Sequence, residues 1–177
     1  MKCRAIISAL ALFSAAAHAA EPQAYINENF GFNVKGYKYN QSEFPCDIDK
    51  NLVALLVERG KKSGLNLEPA NTADKIHNGV IPVIAIDVEQ LVLGRKERSY
   101  GADPHSTLPK VQVTAAVIKG DELVTAKHTC AIATLNQVTP SSNVLDLGTT
   151  GTICSVTRRC LRDLSKDIIN WVAPQLN

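Results

Sequence analysis

Nowhere in the 177 residues do two cysteines stand in C-x-x-C spacing. That absence removes the close ligand pairs that tetrahedral zinc sites usually use, and with them the motif of the thiol–disulfide oxidoreductases. Also missing are the G-x-S-x-G elbow, the G-x-G-x-x-G dinucleotide fingerprint and the P-loop, so no familiar nucleophile or phosphate cradle is present. No apolar run reaches the roughly 20 residues that a helix needs to cross a hydrocarbon core of about 30 Å. Aromatic side chains make up only 5% of the chain, with a single tryptophan.

The apolar stretch that does exist, Ala5 to Ala17, follows Lys2 and Arg4 and runs into the small-residue triplet Ala17, His18 and Ala19. A basic start, an apolar middle and a small-residue cut site are the three zones of a secretory signal. We therefore expect residues 1–19 to be removed and residues 20–177 to form a single α/β domain, periplasmic or secreted. Cys3 precedes the apolar stretch, whereas a lipid-bearing cysteine must follow it, so no membrane anchor is expected. Loss of Lys2 and Arg4 brings the 19 basic residues down to 17, which equals the 17 acidic ones. A neutral chain argues against nucleic acid as a partner, because phosphate recognition rests on a basic surface. A domain of this length buries roughly 68–70% of its unfolded surface and supports an ordinary core.

Cys46, Cys130, Cys154 and Cys160 remain after cleavage. Four cysteines in an exported chain imply two disulfides, with three pairings open.

Hydrophobic period gives the elements. Six of the eight aromatics outside the leader fall between Tyr25 and Phe44. Phe30 and Phe32 alternate, as do Tyr37 and Tyr39, which reads as a hairpin or two short strands. These four rings are candidate partner-binding residues, because aromatics are enriched at interfaces; covering one face of a sheet is the plainer use of them. A helix is predicted from Ile48 to Ser63, with Asp47 and Asp49 at its start and Gly64 at its stop. A short strand at Leu65 to Leu67 precedes a turn-rich segment. Val80 to Leu93 reads as a strand with Ile84, Ile86, Val88, Gln90 and Val92 on one face. A charged loop, 94–109, leads to an antiparallel pair, Lys110–Lys119 and Leu123–Ala133, turned at Gly120, Asp121 and Glu122. The segment 136–152 is long for a plain connection. The last helix is predicted from Ser155, as its cap, to about Val172, ended by Pro174.

The expected fold class is α+β: an antiparallel or mixed sheet of about four to five strands packed against two amphipathic helices. If each helix runs antiparallel to the strand beside it, all four cysteines map to one pole. Bridging Cys154 to Cys160 within one helix start is awkward, which favours bridges joining the helix starts to each other or to Cys130.

Candidate chemistry is thin. Asp87 and Glu89 leave one strand on the same side, roughly 7 Å apart, and His128 stands two residues before Cys130. Together they are a conceivable hydrolase or metal site, although a solvent-facing strand gives the same carboxylate pattern. We expect no cofactor and no catalytic constellation.

Asn51 to Gly64, Ile81 to Gly94, Val111 to Thr129 with Gly120-Asp121, and Ser155 to Val172 together resemble a group of small bacterial envelope proteins. The group comprises auxiliary lipoproteins of envelope ABC transport systems, the lipopolysaccharide-assembly lipoprotein and the amino-terminal domain of the Tol-system propeller protein. The resemblance implies a non-enzymatic protein that binds, or assists assembly of, another envelope component, with no catalytic residues to carry over. The sequence departs from the group in lacking a lipid-attachment cysteine and in carrying four cysteines at one end. A secreted inhibitor or effector-like domain using 136–152 is the alternative.

Overall fold

The computed structural model describes residues 21–32, 45–92, 99–100, 110–131 and 150–176. The expected signal peptide, Tyr37, Tyr39 and nearly all of 136–152 lie outside the described residues.

Seven strands form one mixed sheet: β1 (Ala24–Asn27), β2 (Gly31–Phe32), β3 (Leu67–Ala70), β4 (Val83–Val92), β5 (Ser99–Tyr100), β6 (Lys110–Lys119) and β7 (Glu122–Ala131). The order is β3-β1-β4-β6-β7, with β2 and β5 both pairing onto β4. β4 divides the sheet: β1 and β3 pair in parallel on one side, while β6 and β7 continue antiparallel on the other. Three helices, α1 (Ile48–Lys62), α2 (Ala73–Ile76) and α3 (Thr150–Leu176), complete the fold.

β6 shows why an uninterrupted period of two is informative. Val111, Val113, Ala115 and Val117 are all buried, while the residues between them are partly or fully open. Its turn into β7 has two residues, and Gly120 takes φ 59°, a conformation glycine adopts without steric cost. In β4 the expected faces hold only as far as Val88. A bulge between Val88 and Gln90 inserts Glu89, so Leu91 joins Ile84, Ile86 and Val88 in the core.

β1 and β2 each lie parallel to β4. The second arm of the expected aromatic hairpin, with Tyr37 and Tyr39, lies outside the described residues. Gly31 sits so close to Asp87 that a Cβ there would stand 1.9 Å from the Asp87 carboxylate. The strand expected at Leu65 to Leu67 runs instead from Leu67 to Ala70, and Ser99–Tyr100 forms a rung inside the segment read as a charged loop.

α1 and α3 lie side by side on one face of the sheet. Ile48, Leu52 and Leu56 from α1 and Leu161, Leu164, Ile168 and Val172 from α3 are buried against the strands. Each such side chain contributes about 1.5–3 kcal/mol by leaving water. Arg59 Nε donates to Ser165 Oγ at 3.0 Å and joins the two helices. The start of α1 departs from expectation: Asp47 is the N-cap, but its left-handed backbone (φ 48°, ψ 45°) leaves its carboxylate making no cap bond. Asn51 holds the turn instead, its Nδ2 donating to the Cys46 and Asp47 carbonyls at 2.9 Å each. α3 starts at Thr150, five residues before Ser155, and passes through Pro174 to Leu176. Proline so near the end breaks little, because few later residues depend on its turn.

Both disulfides form at one pole, as the antiparallel packing of helices on strands predicts. Cys46 bonds Cys154, tying the two helix starts, and Cys130 at the end of β7 bonds Cys160.

Candidate functional site

β7 occupies one edge of the sheet. β6 pairs with it rung by rung from Lys119–Glu122 to Lys110–Ala131. Among the described residues no strand pairs with its other side. A ten-residue edge with unpaired backbone groups is a template for another strand.

The two halves of this edge differ. In the second half α3 covers the inner row: Cys130 is stapled to Cys160, and His128 Nδ1 lies 2.6 Å from Asp167 Oδ2 with its ring 5.4 Å from that of Trp171. The first half is bare. Leu123 is 62% exposed and Val124 42%. With Ile118, the cross-strand partner of Leu123, and Val80, these are the exposed large apolar side chains of the described residues. Val80 joins them in space, since the Gly79 carbonyl lies 4.0 Å from where a Cβ on Gly120 would stand. All four gather at the hairpin pole, opposite the disulfides. Clustered rather than scattered apolar exposure marks interaction surfaces.

Asp87, Glu89 and His128 do not converge. Asp87 is in register with Thr114, on the face away from the helices, whereas His128 is opposite Val113 on the helix-covered face. Asp87 turns toward Gly31; Glu89, the bulge residue, turns toward β6 and β7. Glu89 accepts hydrogen bonds from Thr114 Oγ1 and, at 2.9 Å, from Gln112 Nε2, and pairs with Lys127 Nζ at 2.9 Å. Those bonds, led by the Thr114 hydroxyl and followed by Lys127, hold its carboxyl down at about 2. It is a cross-strand clamp. His128 is 5% exposed, and its Nε2 has no hydrogen-bond partner. Among the described residues no group of three or more His, Cys, Asp or Glu side chains is placed to hold a metal.

Of the four aromatic candidates, Phe30 is buried in the core at 7% exposure and Phe32 packs partly buried against it. Tyr37 and Tyr39 lie outside the described residues. Sequence reasoning did not locate the β7 edge. The signal available was the short turn: its hairpin ends in the last strand before a long connection, and a final strand has one neighbour unless a later one returns.

No family model matches the chain, and no curated protein matches it. Solved structures do. An uncharacterized protein matches with a TM-score of 0.48 and 9% identity over 84% of this chain and 90% of its own. The PelC dodecamer from Paraburkholderia phytofirmans gives 0.40 and 14%, over 81% and 89%. The rare lipoprotein B from Shewanella oneidensis gives 0.31 and 11%, over 82% and 94%.

Proposed function

We propose that this is a non-enzymatic protein of an oxidising compartment outside the cytoplasm, periplasmic or secreted, that binds another envelope or secreted protein by accepting its strand along β7. The observation that carries the reading is the open edge of β7 with its bare first half, where Leu123 and Val124 offer apolar anchors beside unpaired backbone. Backbone pairing supplies affinity in such a mode, and alternate side chains supply selectivity. Two disulfides suit the compartment. Among the described residues no helix is long and apolar enough to cross a membrane.

Leu123→Lys combined with Val124→Lys places charge on the edge without touching the core, the device that natural edge strands use to refuse partners. Affinity capture from an envelope extract with the unmodified chain is expected to return a reproducible partner. The double variant is expected to lose that partner by about tenfold or more, while its stability changes by about 0.5 kcal/mol or less. Equal capture by both chains would sink the reading.

A further inference from the structure

Where β1 and β3 end and α1 begins, the structure holds a cavity of about 370 Å³ lined by Glu28, Asp49, Lys50, Val53, Ala54 and Pro69. The topology puts it there. The chain leaves β1, crosses through α1 and returns as β3 on one side, while β4 is added in parallel on the other. A sheet whose order reverses in this way leaves a crevice outside the carboxyl ends of its strands, where ligands of open α/β sheets commonly sit.

Asp49 makes the crevice more than a gap. It lies on the core-facing stripe of α1, one turn before Val53, and is only 5% exposed. Among the described residues no hydrogen bond or ion pair joins its carboxylate to another residue. The neighbouring cation does not neutralise it: Lys50 is 79% exposed at its side chain and sits 3.6 Å from Asp47. The Asp49 oxygens are not sealed off, and an acid on the cavity wall with no opposite charge of its own is what a cation would seek, the positive end of α1 offsetting only part of its charge. Glu28 adds a second acid to the lining, while Val53, Ala54 and Pro69 supply apolar wall. No third acid, histidine or cysteine completes a metal-binding set among the described residues.

We propose that this cavity binds a small organic cation, a primary ammonium on a short apolar stem, with the ammonium on Asp49 and the stem against Val53, Ala54 and Pro69. A free alkylamine and a lysine side chain presented by a peptide both carry that chemistry. The site lies at the end of the sheet away from Leu123 and Val124, so it does not depend on the β7 reading.

The test is a backbone amide NMR titration of the oxidised chain with n-butylammonium, with a lysine-containing tripeptide, and with n-butanol as neutral control. Saturable shifts at Glu28, Asp49, Val53 and Ala54 with either cation, absent with butanol, support the proposal, and the responding probe identifies the source. Asp49→Asn is expected to weaken binding about tenfold or more. Should that variant not fold, Ala54→Phe, at an exposed position on the lining, blocks the cavity with Asp49 intact and is expected to abolish the response. No response to either cation, an equal response to butanol, or a response that survives both variants overturns it.

Discussion

At Glu89 three donors from two neighbouring strands meet one carboxylate, and its affinity for protons falls accordingly, from the ordinary 4.5 to about 2. The unfolded chain binds that proton first, so the clamp contributes fully above about pH 4.5 and is lost as pH falls through 2. The pair is open to solvent on the Lys127 side, which reduces its worth to about 1 kcal/mol. Acid unfolding of Glu89→Gln is therefore expected to be flatter than that of the native chain between pH 4.5 and 2, and equal steepness would refute the assignment. A second residue-scale outcome concerns Gly60, where a Cβ would lie 2.6 Å from Leu67 Cδ1 and 2.9 Å from Leu67 Cγ. Alanine gains about 1 kcal/mol of helix propensity but overpacks a buried leucine at about 1–3 kcal/mol. The clash wins, and Gly60→Ala should lower the melting temperature; a rise would show that Leu67 has room to move.

The strength of the elements comes from how they are tied. Cys46–Cys154 closes 108 residues of sequence, against 30 for Cys130–Cys160. Closing a loop of that size removes enough unfolded-state freedom to be worth about 3–5 kcal/mol. Replacing Cys46 and Cys154 by alanine should cost that much in chemical denaturation while α3 stays attached to β7 through the other bridge; a loss below about 1 kcal/mol would mean the helix starts are held by packing alone. Much at this scale was legible in the residues. The unbroken alternation of Val111 to Val117 fixed both the bounds and the inward face of β6, and the apolar stripe from Leu161 to Val172 found α3. What stayed hidden depends on distant partners. The Glu89 bulge turns Leu91 into the core through a single extra residue, which leaves no mark in a run as apolar as Leu91-Val92-Leu93. The parallel pairing of β1 and β2 with β4 joins segments 58 and 56 residues apart, a non-local choice that local period does not encode. Thr150 to Cys154 is a weak helix former held in α3 with the bridge to Cys46 at its end.

For the whole molecule the cysteines make the sharpest statement. They are spread from Cys46 to Cys160, yet packing two helices antiparallel to a sheet collects them at one end, and that much followed from element order alone. The candidate site did not: the aromatic segment drew attention, whereas the bare stretch of β7 needed the sheet order and the extent of α3 to become visible, and the cavity at Asp49 needed the crossover. Intact mass spectrometry of exported chain should find it about 4 Da lighter than its fully reduced form, with the residues through Ala19 absent. Free thiols or a retained leader would remove the compartment on which the functional reading stands.

The Cys130–Cys160 staple sits at the far end of the same strand that offers its open edge. Tension placed on a partner strand lying along β7 would travel down to that staple and into the 27-residue α3, so the rungs would be sheared together. Cut the staple, and the same pull unzips β7 from β6 one rung at a time from the Cys130 end, because the two-residue turn keeps the other end joined to β6.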